Sequence, residues 1–258
     1  MKVVILAGGF GTRISEESHL RPKPMVEIGG MPLLWHIMKY YATFGYCDFI
    51  ICAGYKQDVI KDFFANYYLN HSDVTFDFSA NRNMTVHSTA SDPWRVTVVD
   101  TGRDTMTGGR IKRVRQYLDE EPFFLTYGDG LCDVDLRAEV AFHRAHGRLA
   151  TLLAVRPDSR FGVLQLEGEA VRAFREKSAS DAGLINGGFM VLDPQVLDYI
   201  EGDATVFERA PLERLCAARQ LMAFRHEGFW QCMDTLRDKE RLENLWQQGK
   251  APWRRWQT

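Results

Sequence analysis

Residues 2–13 read Lys2-Val3-Val4-Ile5-Leu6-Ala7-Gly8-Gly9-Phe10-Gly11-Thr12-Arg13. The first half is a β-branched apolar run that does not alternate with polar residues, the pattern of a strand buried on both faces inside a parallel sheet. Glycines follow at once. They let the backbone come close to a ligand and turn its N–H groups toward it, while Arg13 adds a charge, so the stretch reads as strand and then nucleotide loop. Residue 14 is Ile, so the loop is not GxGxxG, and no GxxxxGK[ST] occurs, which weakens dinucleotide and Walker-type readings. The competing reading is a tight glycine turn with a surface arginine.

The same alternation of strand and helix continues outward. Pro32 opens a helical pattern (Leu33, Leu34, Ile37, Met38, Tyr41) that Gly45 closes, with proline in the first turn and glycine past the end. Asp48–Ala53 predicts the next strand, and 56–69 the next helix, with Val59, Ile60, Phe63, Phe64 and Tyr67 on one face. Segments 74–78, 84–87 and 95–99 alternate in period two and predict short antiparallel or edge strands. A helix over about 109–118 leads to a strand at Phe123–Tyr127, which ends in Gly128-Asp129-Gly130. A helix over Leu136–His146, a strand over 149–155, short strands between 161 and 192, helices near 194–200 and 207–218, and a late strand complete the pattern before a last amphipathic helix over 235–248. No repeat, charge block or linker divides the chain, so the expectation is one domain, residues 1–258, of mostly parallel α/β type with a smaller antiparallel β region.

Composition narrows the function classes. The 258 residues are 45% hydrophobic and 26% charged, which excludes disorder as the main theme. A formal charge of -2 leaves no general basic field for a nucleic-acid backbone or an anionic membrane, so an anionic ligand must be met by a local cluster. Cys47, Cys52, Cys132, Cys216 and Cys232 are odd in number and form no CxxC pair, which predicts reduced thiols. No window approaches about 18 apolar residues, and the apolar run at the N-terminus is too short for a signal peptide. A soluble, cytoplasmic protein with neither nucleic-acid nor membrane partner is expected.

Several segments beyond the first loop carry chemistry. Arg21-Pro22-Lys23-Pro24-Met25 places two cations on a backbone stiffened by proline, able to hold Lys23 against phosphates at little ordering cost. It lies on the same first crossover as the glycine loop. Asp129 stands at the carboxyl end of a buried strand, where its carboxylate reaches the ligand cleft and suits Mg²⁺, although Asp-Gly is also a turn dipeptide. Asp234 in Met233-Asp234-Thr235 reads first as part of a cap for the last helix with Asp238. Asn186 in Ile185-Asn186-Gly187-Gly188 reads as an Asn-Gly turn. His143 and His146 at i, i+3 suggest a metal pair without a third ligand, and a polar helix face explains them better. Trp246, Trp253 and Trp256, with Arg254 and Arg255, read as a packing or subunit-contact tail.

LAGGFGTR followed by RPKPM resembles the signature of the sugar nucleotidyltransferases, the nucleoside-diphosphate-sugar pyrophosphorylases. SEESHLRPKPMVEIGG, DTMTGGRIKRV, TYGDGLCDVD, LINGGF and GFWQCMDTLRDK, in that order, are similar to the branch of the family that transfers a cytidylyl group from CTP to glucose 1-phosphate. The resemblance covers nearly the whole chain and implies a Rossmann-like sheet, release of pyrophosphate, Mg²⁺ as cofactor and a homo-oligomer. It implies that Leu6, Ala7, Gly8, Gly9, Gly11, Thr12, Arg13, Lys23, Arg110 and Gly128 bind the nucleotide, that Arg13, Lys23 and Asp129 act in catalysis, and that Asp129 and Asp234 hold the metal. Glu176 and Lys177 would meet the sugar hydroxyls and the sugar phosphate, and Asn186 the sugar. Arg110 would donate to cytosine O2 or N3 while a backbone carbonyl receives N4. Two positions depart from the family pattern, Ser178 and Cys232, where relatives commonly carry proline. Two other readings compete: a glycosyltransferase working through Asp133 and Asp135, arranged as DxD, and a non-catalytic sensor of nucleotide-sugars on the same fold.

Overall fold

Val3–Leu6 forms strand β1, buried at every residue. Successive residues of a strand face opposite ways, and here both faces are covered: Val3 and Ile5 enter one apolar cluster, Val4 and Leu6 another. The computed structural model describes residues 1–10, 21–79, 83–156, 163–175 and 183–256, and of residues 163–166, 174 and 175 the backbone alone. After β1 come β2 (Glu27–Ile28), β3 (Met31–Pro32), α1 (Leu33–Thr43), β4 (Asp48–Ala53), α2 (Gln57–Asn70), β5 (Ser72–Phe76), β6 (Met84–Thr89), β7 (Arg95–Asp100) and α3 (Thr107–Arg113). The chain continues with β8 (Phe123–Tyr127), β9 (Gly130–Cys132), α4 (Leu136–His146), β10 (Ala150–Val155), β11 (Val163–Glu167), β12 (Ala170–Arg175) and β13 (Ile185–Leu192). Then follow α5 (Ala210–Ala217), β14 (Leu221–Arg225), β15 (Trp230–Cys232) and α6 (Leu236–Gln247).

Nine strands make one sheet in the order β11-β12-β14-β10-β13-β8-β1-β4-β7. β1 pairs in parallel with β4 and β8, β4 with β7, and β10 with β14. Only β12 and β13 run against the rest, so the sheet is mostly parallel, as the sequence predicts. Parallel neighbours need crossovers that cover the faces. On one face α1 buries Leu33, Leu34, Ile37, Met38 and Tyr41 beside Val3 and Ile5, and on the other Ile111, Leu212 and Leu215 pack toward Val4 and Leu6. Each such side chain contributes roughly 1.5–3 kcal/mol on burial, which holds the carboxyl ends of β1 and β8 in register: Leu6 lies beside Tyr127.

One expectation is narrowed and one corrected. Segment 95–99 takes the edge alternative: β7 is the edge strand of the central sheet, parallel beside β4, whereas β5 and β6 make a separate antiparallel hairpin. The half-covered edge position gives β7 the same period-two pattern as a hairpin strand. The helix expected over 109–118 begins at Thr107 and ends at Arg113, with a 3₁₀ turn at Arg115–Tyr117. Its start is set by Gly108 and Gly109, whose N–H groups both donate to Thr205 O; a Cβ on Gly108 would stand 2.7 Å from that oxygen. The carboxyl tail packs as one of its two readings held: Trp253 is fully buried, and Trp246, edge-on, and Trp256, tilted, pack around His36. Burial drives the His36 imidazole down to about 4, so it is neutral, with Nε2 2.7 Å from Ile28 O.

Candidate active site

At the carboxyl ends of β1 and β8 opens a cavity of about 540 Å³, lined by Leu6 to Phe10, Lys23, Pro24, Arg103 to Thr107, Arg110, Tyr127 to Asp129 and Asp234. The backbone there is tightly laid. Gly128 N donates to Leu6 O at 2.9 Å, and a Cβ on Gly128 would fall 2.8 Å from Pro24 Cγ and 2.9 Å from Leu6 O. Gly9, by contrast, has no heavy atom of the described residues within 4 Å of where its Cβ would stand, so among them its backbone is open.

Lys23 begins the 3₁₀ turn Lys23–Met25, set between Pro22 and Pro24. Its Nζ lies 2.6 Å from Asp129 Oδ2 and 2.5 Å from Asp234 Oδ1, and the side chain is only 11% exposed. Burial alone would lower the ammonium's pKa, but the carboxylates of Asp129 and Asp234 outweigh it and hold the group above its ordinary value. Asp129 follows β8; Asp234 follows β15, which pairs antiparallel with β9, and Met233 N donates to Asp129 O. The two aspartates thus meet through a short ribbon. The Asp129, Cys232 and Asp234 donor atoms lie within 4.8 Å of one another. Two carboxylates around a buried ammonium are already arranged to hold a cation, and hard oxygen donors of this kind fit Mg²⁺. Burial pushes the Cys232 thiol well up, so it stays protonated beside them.

Asp234 is not the cap of α6. Thr235 and Asp238 form a reciprocal capping box, Thr235 Oγ1 accepting from Asp238 N and the Asp238 carboxylate from Thr235 N, which leaves the Asp234 side chain to turn toward Lys23.

Arg110 reaches the cavity, and its guanidinium is engaged there by the backbone around the loop and by Thr101. NH1 donates to Thr101 Oγ1 at 2.8 Å, Gly102 O at 2.7 Å and Ala53 O at 3.3 Å, and NH2 to Gly8 O at 2.9 Å and Arg103 O at 3.1 Å. A guanidinium has five N–H groups in a fixed fork, and both terminal nitrogens are already committed to the backbone around the loop. Arg110 is a clamp under the site. The other basic residues of this segment tie down residues 198–203: Lys112 Nζ donates to Ile200 O, and Arg113 and Arg115 pair with Asp203 and Asp198.

Asn186 lies on β13 and is absent from the cavity lining; its Oδ1 accepts from Gly188 N at 2.9 Å. Gly188, at φ +79°, makes room for the Tyr127 ring. Gly11, Thr12, Arg13, Glu176, Lys177 and Ser178 lie outside the described residues. His143 and His146 share a face with polar partners: His143 is buried, its ring nitrogens 2.9 Å from Thr151 Oγ1 and 3.2 Å from Asp193 Oδ2, and His146 Nε2 is 2.7 Å from the same hydroxyl. Asp135 caps α4 through Arg137 N and Ala138 N, and Asp133 faces His226, so the DxD pair lines no part of the cavity.

Sequence reasoning missed one wall. Tyr127 OH donates to the Glu208 carboxylate, which also accepts from Thr107 Oγ1 at 2.6 Å, while that hydroxyl accepts from Phe207 N. Thr107 was within reach, inside the DTMTGG segment; Glu208 carries no local pattern that marks it.

A parallel sheet whose first strand feeds a glycine loop, with a buried lysine and two carboxylates at the strand ends, is the frame of a phosphate-transferring enzyme. The chain belongs to the nucleotidyl transferase family, whose sequence model matches residues 2–235. It is 58% identical over 258 residues, the full length of both chains, to the glucose-1-phosphate cytidylyltransferase of Salmonella typhi. To the probable glucose-1-phosphate cytidylyltransferase of Bacillus subtilis it is 42% identical, over 99% of this chain and all of that one. Among solved structures it is similar to HddC of Yersinia pseudotuberculosis, with a TM-score of 0.75 and 25% identity, covering 95% of this chain and 99% of that one. The fold and family expected from the glycine loop and RPKPM stand. No helix among the described residues is long and apolar enough to cross a membrane.

Proposed function

We propose that the chain transfers CMP from CTP to α-D-glucose 1-phosphate, forming CDP-glucose and pyrophosphate. The observation that carries this reading is full-length similarity to glucose-1-phosphate cytidylyltransferases at up to 58% identity, together with a cavity that joins the glycine loop, Lys23, Asp129 and Asp234. The chain acts as one domain, residues 1–258, a reading supported by a single sheet that takes strands from Val3 to Arg225.

The task is to bring two anions together, with the sugar-phosphate oxygen attacking the α-phosphorus in line and no covalent enzyme intermediate. Leu6 to Gly9 and Gly128 form the floor on which the nucleotide lies, and Arg110 holds that floor rigid. Asp129 and Asp234 would hold Mg²⁺. The metal, when bound, neutralises the charge of the phosphates and of the oxygens that develop charge as the bond to pyrophosphate breaks. Lys23 keeps the two carboxylates close, and with Arg13 it would supply positive charge to the triphosphate. Glu176 and Lys177 are assigned to the sugar 1-phosphate by the family resemblance. The glycosyltransferase alternative loses its support because Asp135 is engaged at a helix terminus.

We read the protein as a cytoplasmic homo-oligomer. Five unbonded cysteines favour a reducing compartment, and Phe76, Phe78 and Met84, exposed on and beside the β5–β6 hairpin, are an apolar surface suited to a second copy.

The test is to incubate the protein with each of four nucleoside triphosphates, several sugar 1-phosphates and Mg²⁺, and to follow pyrophosphate. CTP with glucose 1-phosphate should give the highest kcat/KM. A site matched to cytosine leaves buried polar groups unpaired against uracil, worth about 1–3 kcal/mol each. Equal kcat/KM for UTP and CTP would overturn the cytidylyl assignment.

A further inference from the structure

Outside the cavity, three side chains of different chemistry converge where residues 226–229 fold over the end of β9. Donor atoms of Cys132, Asp133 and His226 all lie within 4.8 Å of one another. His226 Nε2 stands 3.0 Å from Asp133 Oδ1 and 3.2 Å from Phe229 O. Asp133 Oδ1 is buried and, although His226 Nε2 stands near it, accepts no hydrogen bond among the described residues. The turn is closed tightly over the pair: a Cβ on Gly228 would fall 2.5 Å from Asp133 Oδ1 and 2.6 Å from His226 Cε1. Cys132 is buried. A buried carboxylate oxygen without a donor is costly unless something cationic meets it.

We propose that Cys132, Asp133 and His226 form a second metal site, structural rather than catalytic, for a borderline-soft divalent cation of the zinc class, with the Phe229 carbonyl placed to complete four donors. Thiolate, imidazole and carboxylate are the ligands such a cation selects, whereas the paired carboxylates of Asp129 and Asp234 suit a hard one. Binding would release the Cys132 thiol proton to solvent and move the imidazole proton to Nδ1, freeing Nε2 for the metal. The ion would tie β9, which follows Asp129, to the loop that enters β15, which precedes Asp234.

The test uses the full chain, stripped with chelator and kept reduced, and titrated with Co²⁺ alone. One equivalent should bind with thiolate-to-cobalt charge-transfer absorption and release of about one proton. Cys132→Ala should abolish the band, Cys232→Ala should keep it, and His226→Gln should weaken Co²⁺ binding by about tenfold or more. Zn²⁺ should raise Tm in the unaltered chain and in Cys232→Ala but not in Cys132→Ala. Absence of the band in the unaltered chain, its survival in Cys132→Ala, or its loss in Cys232→Ala, which would place the ion at Asp129 and Asp234, each overturns the proposal. Should Cys132→Ala fail to fold, undiminished Co²⁺ affinity in His226→Gln overturns it equally.

Discussion

A Cβ added to Gly8 would stand 2.2 Å from Arg110 NH1, so the glycine loop and the arginine beneath it are packed as one piece. The guanidinium reaches the loop after β1, the end of β4 and the segment after β7 through carbonyls and the Thr101 hydroxyl. Three adjacent parallel strands are thereby tied at the carboxyl ends that frame the cavity.

Arg110→Ala should therefore lower kcat/KM for CTP and UTP by the same factor, leaving their ratio unchanged, because the loss is of loop geometry and not of a base contact. It should also lower Tm by several degrees, since carbonyls are left without donors at about 1–3 kcal/mol each. Parallel kinetics on the two nucleotides check this; a narrowed ratio would restore Arg110 as a reader of the base.

Lys23→Met should tighten binding of Mn²⁺, used as a spectroscopic substitute for Mg²⁺, to the free protein while weakening CTP binding. The buried ammonium between Asp129 and Asp234 competes with a metal for the same oxygens, and an apolar side chain of similar length does not. Electron paramagnetic resonance of free Mn²⁺ reads the first effect and nucleotide titration the second. Unchanged Mn²⁺ affinity would show that Lys23 does not occupy the metal's place.

Asp234→Asn and Thr235→Ala should separate cleanly. The first should reduce turnover by roughly a hundredfold or more with little change in Tm, as an amide supplies no charge to a metal. The second removes one half of the capping box and should cost about 1 kcal/mol of stability with activity retained. Thermal melts and initial rates on both variants decide it; a large Tm loss in Asp234→Asn would return that residue to the cap.

Glu139, wholly buried on α4, has neither carboxyl oxygen hydrogen-bonded, and burial pushes its pKa from 4.5 up to about 8. Between those values the native state holds a proton that the unfolded chain has lost. Its contribution is intact below about 4.5, and stability falls as pH rises through 8, by up to about 1.4 kcal/mol per unit. Glu139→Gln should gain on the unaltered protein progressively in urea unfolding at pH 5.5, 6.5 and 7.5. Parallel pH curves for the two would sink the assignment.

What could be read in advance divides along a physical line. β1 and β8 were legible because a strand covered on both faces must be apolar throughout, and Lys23 and Asp129 because proline and a strand end announce a fixed side chain. The link between Lys23 and its two carboxylates was not, since they lie 106 and 211 residues downstream and only the closed sheet brings them together. The clamp made by Arg110 was hidden for a related reason: most of its partners are backbone carbonyls, which leave no mark in a sequence. For His143 and His146 the polar face was legible but its partners were not, because Thr151 and Asp193 belong to the neighbouring strand and the turn beyond β13.

The ribbon of β9 and β15 also sets a timetable. Residues 130–132 are held by residues 230–232, near the end of the chain. A chain leaving the ribosome can lay β1, β4, β7 and β8 together and close the glycine loop over Arg110 while Asp234 is still unmade. The first strands and their helical cover come early; the second carboxylate comes only after β14 and β15 are made. A product stalled before Asp234 would keep much of the sheet and lack the paired acid, so one short ribbon delays the meeting of Lys23 with both carboxylates until β15 has been added.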